Sequence, residues 1–182
     1  MRLIRFLVLP LACLSGTGAG AGGASPGTMV QAASALSPAG LVSAVLAYTR
    51  WPARDRALVL CISRPAPDAA ALQAQVEVLR LPTAVLTRLV EVDEPVPLSC
   101  DAVYFDRWSP PAQRTALQAL AGRPVMSLGW GADFCSDGGL VCLSPGRSGL
   151  RFELNLDAVA RSGLRVHPQV LRLTQPRPAE RS

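Results

Sequence analysis

Lysine is absent from this chain of 182 residues, histidine and asparagine occur once each, and only 5% of the residues are aromatic. Its 18 basic side chains are therefore all arginine, set against 13 acids for a net charge of +5. The arginines stand singly between apolar runs and form no basic stripe interleaved with aromatics, so the footprint of a nucleic-acid binder is missing. No apolar run approaches the roughly 18 to 20 residues of a membrane-spanning helix, which excludes a polytopic membrane protein. Charge is scarce at 17% and apolar residues are plentiful at 49%, the reverse of a disordered composition. The usual signatures of chemistry are missing too. Neither G-x-S-x-G, C-x-x-C nor H-E-x-x-H occurs, and the cysteines have no zinc-finger spacing. These absences argue against an enzyme, a metal centre and a bound cofactor.

The amino terminus is distinctive. Arg2 and Arg5 precede the apolar stretch Phe6 to Leu14, and Gly16 to Ala24 is almost wholly Gly and Ala. That layout is a secretory signal peptide over 1–24, with cleavage expected after Ala21 or Ala24. Lipidation of Cys13 is the weaker reading, because Pro10-Leu11-Ala12 is a poor approach to that cysteine. Gly18 to Gly23 satisfies G-x-G-x-x-G, but no strand precedes it and it lies in the leader, so it is no dinucleotide site. Loss of 1–24 takes away two arginines and no acid, lowering the net charge from +5 to +3, and reduces five cysteines to four. The expected organisation is a linker over 25–36, one domain over 37–174 and a flexible tail over 175–182.

Within the domain, Ser37-Pro38 starts a helix that runs to Tyr48. Ala57–Ser63, Val85–Val92, Ala102–Phe105 and Pro124–Leu128 read as strands, several of them continuous apolar runs that suit burial on both faces. Helices are expected over Asp68–Leu79 and Pro110–Ala121 between them. Such alternation predicts a single three-layer α/β domain whose largely parallel or mixed sheet is flanked by helices. Leu140–Leu143 and Leu150–Leu154, joined by a Pro- and Gly-rich turn, predict a C-terminal hairpin. Short helices over Leu156–Ser162 and Pro168–Leu173 complete the domain.

An even number of cysteines in an oxidising compartment points to disulfides. Cys135 and Cys142 flank Ser-Asp-Gly-Gly, whose glycines permit the chain reversal that a bridge requires. Cys61 would then pair with Cys100. The loop-entropy model assigns about 2.5 kcal/mol to the short bridge and about 4 kcal/mol to the long one. The long bridge carries a geometric difficulty, since Cys61 lies late in its strand and Cys100 just before another. Level parallel neighbours would hold them apart. The short bridge is expected to be the more exposed and the more reducible.

Two polar groupings are candidate sites. Strict alternation in Leu150–Leu156 puts Leu150, Phe152, Leu154 and Leu156 on one face and Arg151, Glu153 and Asn155 on the other. Arg165 and His167, two apart, share a face in an extended segment, and Arg50 beside Trp51 is placed to join them. Such groups suit a face for an anion or a partner protein, arginine offering bidentate hydrogen bonds and histidine sensitivity to pH.

The ordered motifs Tyr48-Thr49-Arg50-Trp51-Pro52, Leu58-Val59-Leu60-Cys61-Ile62, Cys100-Asp101-Ala102-Val103, Phe134 with Asp137-Gly138-Gly139-Leu140-Val141, Leu150-Arg151-Phe152-Glu153-Leu154-Asn155 and Gly163-Leu164 with Val170-Leu171-Arg172-Leu173 are similar to the YfiR-like periplasmic proteins over 38–174. The resemblance implies an exported, disulfide-bonded, non-catalytic α/β protein. It implies a repressor that binds the periplasmic part of an inner-membrane diguanylate cyclase, or of another sensor such as a histidine kinase, and couples redox or envelope conditions to cyclic-di-GMP and biofilm formation. It further implies a homodimer, supports the 61–100 and 135–142 pairing, and offers Glu153 as a partner contact. The alternative expectation is a periplasmic binding module for an anionic or aromatic small molecule, using Arg50, Arg165 and His167.

Overall fold

Ser37 caps the first helix, its hydroxyl accepting from Gly40 N at 3.0 Å, and Pro38 presets the backbone of the first turn, so α1 spans Pro38–Tyr48. This computed structural model describes residues 36–173 apart from 53–54, 79–82 and 147–148. The expected leader, Cys13, the Gly-Ala tract, the linker up to residue 35 and the tail over 175–182 lie outside the described residues. After α1 come a two-residue strand β1 (Thr49–Arg50), β2 (Leu58–Ser63), α2 (Ala69–Val78), β3 (Val85–Val90), β4 (Ala102–Tyr104), α3 (Pro110–Leu120) and β5 (Met126–Trp130). Then follow α4 (Ala132–Ser136), β6 (Val141–Gly146), β7 (Gly149–Leu154), α5 (Leu156–Ser162), β8 (Arg165–Val166) and a 3-10 helix (Pro168–Arg172).

The six longer strands form one sheet in the order β3-β2-β4-β5-β6-β7, parallel except that β7 returns antiparallel to β6. This is the doubly wound order with an added edge hairpin, and it is the α/β architecture with two disulfides that the sequence predicts. Alternation divides the core in two. Leu60, Ile62, Ala102, Tyr104, Met126, Leu128, Val141 and Leu143 pack beneath α1 and α2. Cys61, Val103, Phe105 and Cys142 face the other way, under α3 and Phe134 of α4.

Both disulfides form, each with a Cα–Cα separation of 5.7 Å. The difficulty foreseen for Cys61–Cys100 does not arise, because Cys100 is not on an extended approach to β4. Its amide donates to Pro97 O at 3.1 Å, and this turn folds the segment over the sheet face towards Cys61. The β3–β4 connection carries no helix. Pro95 and Pro97 deny it one, and its Val96 packs on the core in place of a helix.

Candidate functional site

Hairpin register decides what surrounds the short bridge. Cys142 of β6 lies directly opposite Glu153 of β7, and Ser144 opposite Arg151. Glu153 and Arg151 therefore share the sheet face of the Cys135–Cys142 bridge, with opposed Cβ atoms about 5 Å apart by the geometry of antiparallel pairs. Both side chains are exposed, and neither makes an ion pair among the described residues. The stem of Arg151 runs over Gly146, where a Cβ would come within 2.6 Å of Arg151 Cγ.

The alternation expected through residue 156 stops one residue short of Asn155. Asn155 is the N-cap of α5: its Oδ1 accepts from Ala158 N at 3.0 Å and its Nδ2 donates to Cys135 O at 2.9 Å. Both ends of its amide are engaged inside the protein, which removes it from the outward face shared by Arg151 and Glu153. Leu156, expected inward, opens α5 and is 69% exposed, because the strand-to-helix transition turns it away from the core. The bridge itself hangs on α4, which patterning missed since five residues carry no helical period. Phe134 is fully buried there, and a Cβ on either Gly129 or Gly139 would overlap its ring. Of the four bridging cysteines only Cys135 escapes full burial, so the short bridge is the more accessible one.

A second cluster assembles on the small sheet. β1 pairs antiparallel with β8, placing Arg50 directly opposite Arg165 and Thr49 opposite Val166. His167 N donates to Tyr48 O at 2.8 Å, and the two rings lie 6.2 Å apart. Thr49 is buried while Arg50, Arg165 and His167 are exposed and alternate with inward residues, so these three share one face; Tyr48, the last residue of α1, is half-buried against the core with its ring beside that of His167. The structure thus brings together the three residues expected to meet, and adds Tyr48. His167 Nδ1 accepts from Gln169 N at 3.2 Å, capping the 3-10 helix and directing Nε2 elsewhere. Arg50 and Arg165 have no acidic partner among the described residues, although like charges directly opposite one another repel. Trp51 anchors this ladder to the main sheet by donating from Nε1 to Asp101 O at 3.1 Å. Asp101 in turn binds Arg56 through two hydrogen bonds and accepts from Val59 N at 2.9 Å. That contact raises the pKa of the Arg56 guanidinium, keeping it charged.

The carboxyl ends of β2 and β4, where the strand order reverses, hold a third polar group that sequence reasoning did not find. Ser63 Oγ donates to Tyr104 O and accepts from Asp106 N and Trp108 Nε1 at 2.9, 3.2 and 2.7 Å. Trp130 Nε1 donates to the Tyr104 hydroxyl at 2.9 Å. Burial raises the pKa of both the Tyr104 phenol and the Asp106 carboxyl, and the charge of nearby Asp68 adds to each. Only aromatic spacing around Asp106 could have hinted at this network. Among the described residues no group of three metal-ligating side chains is placed to hold an ion, and no helix is long and apolar enough to cross a membrane.

The domain that holds these two disulfides, the edge hairpin set against the shorter one and the arginine ladder is matched by the profile of a known family. The profile of that family, the YfiR/HmsC-like proteins, matches residues 38–175, which is most of the chain and every described strand and helix. The chain belongs to the YfiR/HmsC-like family.

Proposed function

We propose that the protein is an exported periplasmic regulator that binds the periplasmic part of an inner-membrane diguanylate cyclase, or of a comparable sensor, and holds it inactive. It acts by binding and not by catalysis. The observation that carries this reading is the family match over residues 38–175. Glu153 and Arg151 are the proposed contacts: opposite charges, exposed, without an ion pair among the described residues, and carried by the edge strand β7. Residues 1–24 act as the export signal and are removed, and the mature protein works as a homodimer. Deleting the gene should raise cellular cyclic-di-GMP, and Glu153→Lys should reproduce the deletion while leaving the fold intact. An unchanged level in both strains, in a host that encodes a membrane diguanylate cyclase, sinks the cyclase version.

A specific observation favours a second role on the same molecule. Two arginines directly opposite each other, with no acidic partner among the described residues, would be stabilised by an anion between them, and His167 and Tyr48 flank that position. We propose an anionic small molecule as the ligand of Arg50, Arg165 and His167. Thermal-shift screening with inorganic phosphate and aromatic carboxylates tests this: a stabilisation lost in Arg165→Ala supports it, and no shift with any anion refutes it.

A further inference from the structure

Among the described residues, Asn155 is the one side chain that bonds both to the short bridge's own helix and to the helix bearing Leu156. Its Nδ2 donates to the carbonyl of Cys135, and its Oδ1 accepts from the amide of Ala158 in the first turn of α5. Its backbone is fixed as well, N donating to Leu140 O and O accepting from Val159 N, both at 2.9 Å. One amide plane therefore serves two helices, and its rotation about the side-chain bond is set by whichever partner is held more firmly.

Neither helix is secure alone. α4 has five residues and α5 seven, well below the roughly 12 needed for marginal helicity in isolation. α4 is held by buried Phe134, by the turn bonds from Asp137, Gly138 and Gly139, and by the covalent link from Cys135 to β6. α5 buries only Ala158 and Ser162, so its first turn depends heavily on its cap. Leu156 stands at that turn, directly after the strand that carries Glu153.

We propose that Asn155 is a positioning residue that couples the state of the Cys135–Cys142 bridge to the first turn of α5, and so to the surface presented by Leu156. A dithiol reductant supplies two electrons and two protons. The S–S bond breaks, each cysteine sulfur gains a hydrogen, and the reductant leaves as its own disulfide. α4 then loses its covalent tether, the Cys135 carbonyl departs from its fixed place, and Nδ2 of Asn155 loses the partner that orients Oδ1 on Ala158 N. The cap opens and the turn bearing Leu156 frays. Its consequence for signalling rests on the regulatory reading above, whereas the coupling itself needs no partner protein.

The test is amide hydrogen exchange on the mature protein, oxidised and after selective reduction of the short bridge, with thiol counting to confirm two free thiols and an intact Cys61–Cys100. In the wild type, exchange at Ala158 and Val159 should accelerate about fivefold on reduction, the size of a lost N-cap. Asn155→Asp keeps a capping oxygen and removes the donor to Cys135, so its α5 should exchange at the same rate whether the bridge is closed or open. The double variant Cys135→Ser/Cys142→Ser should match the reduced wild type without any reductant. Unchanged α5 exchange on reduction overturns the proposal, as does an Asn155→Asp protein that still responds fivefold. Equal acceleration throughout β6 and β7 also overturns it, since that is general loosening and not a path through one residue. A protein that shows this coupling but fails to alter cyclic-di-GMP would leave Asn155 in its role and refute the partner assignment alone.

Discussion

Phe134 offers a test of how the bridge-bearing helix is held. Its ring is fully buried between Gly129 of β5 and Gly139 ahead of β6, with the Phe105 ring centroid 5.5 Å away. Truncation to Ala removes the ring and leaves a cavity, a loss of about 3 to 5 kcal/mol. Gly129→Ala and Gly139→Ala attack the same contact from the other side, each driving a methyl into the ring at a cost of about 1 to 3 kcal/mol or more. The two glycines differ in what else they meet. At Gly129 the three nearest atoms all belong to the Phe134 side chain, whereas at Gly139 the Phe134 carbonyl oxygen also lies 2.7 Å from the added Cβ. In a Phe134→Ala background the ring is gone, so Gly129→Ala should become nearly neutral, giving a coupling energy of about 1 to 3 kcal/mol. Gly139→Ala should remain costly in that background, because a backbone oxygen cannot be truncated away. Urea denaturation of the oxidised proteins gives both cycles, with Phe134→Leu as the milder background if the Ala variant does not fold. Equal costs for Gly129→Ala with and without the ring would refute the account of α4 as a helix pinned by one plug.

Three further outcomes follow from the core and its edges. Replacing both Cys61 and Cys100 by Ala should lower stability by about 4 kcal/mol, and replacing Cys135 and Cys142 by about 2.5 kcal/mol, since the sequence separations are 39 and 7; the reverse order in urea melts would contradict the loop argument. Ser43 is 2% exposed and its hydroxyl has no hydrogen-bond partner among the described residues, so Ser43→Ala should raise stability by about 1 kcal/mol in the same assay. Burial raises the Asp106 carboxyl above its unfolded value, so its contribution is fully present below the ordinary carboxylate range and is lost as pH rises through the shifted value. Asp106→Asn should therefore melt higher than the wild type at pH 7, with the gap closing on acidification; a constant gap across that range would count against it.

The doubly wound sheet was legible because burial on both faces leaves a mark in sequence. Leu58–Ser63 and Ala102–Tyr104 are almost wholly buried, and they read as continuous apolar runs. α1 was legible through local chemistry, Ser37 and Pro38 acting within four residues of one another. Elements held by tertiary contact alone left no such mark. α4 has no amphipathic period and exists because Phe134 fills a hole that the two glycines flanking the helix, Gly129 and Gly139, leave open. β1 and β8 are two residues each and gain definition only from one another. The path of Cys100 was misjudged for a related reason: a turn through Pro97 redirects the chain, and strand-level reasoning had continued it straight.

For the candidate sites, sequence supplied residue types and near-neighbour geometry, and register supplied the rest. The shared face of Arg165 and His167 follows from a spacing of two, but the opposition of Arg50 and Arg165 depends on a pairing across more than a hundred residues. Glu153 could be placed on an outward face by alternation, yet its position across from Cys142 is a property of the hairpin alone. Asn155 shows the limit of periodic reasoning. Continued alternation assigns it to the face of Glu153, whereas an asparagine three residues before an Ala-Val-Ala run is also a good helix cap. The cap prevailed because it engages both halves of the amide, satisfying Ala158 N and Cys135 O at once, while the strand continuation would leave both groups to find other partners. Residues with two competing local roles are therefore the ones whose function sequence patterning places least well, and in this protein such a residue joins the short disulfide to the helix beside it.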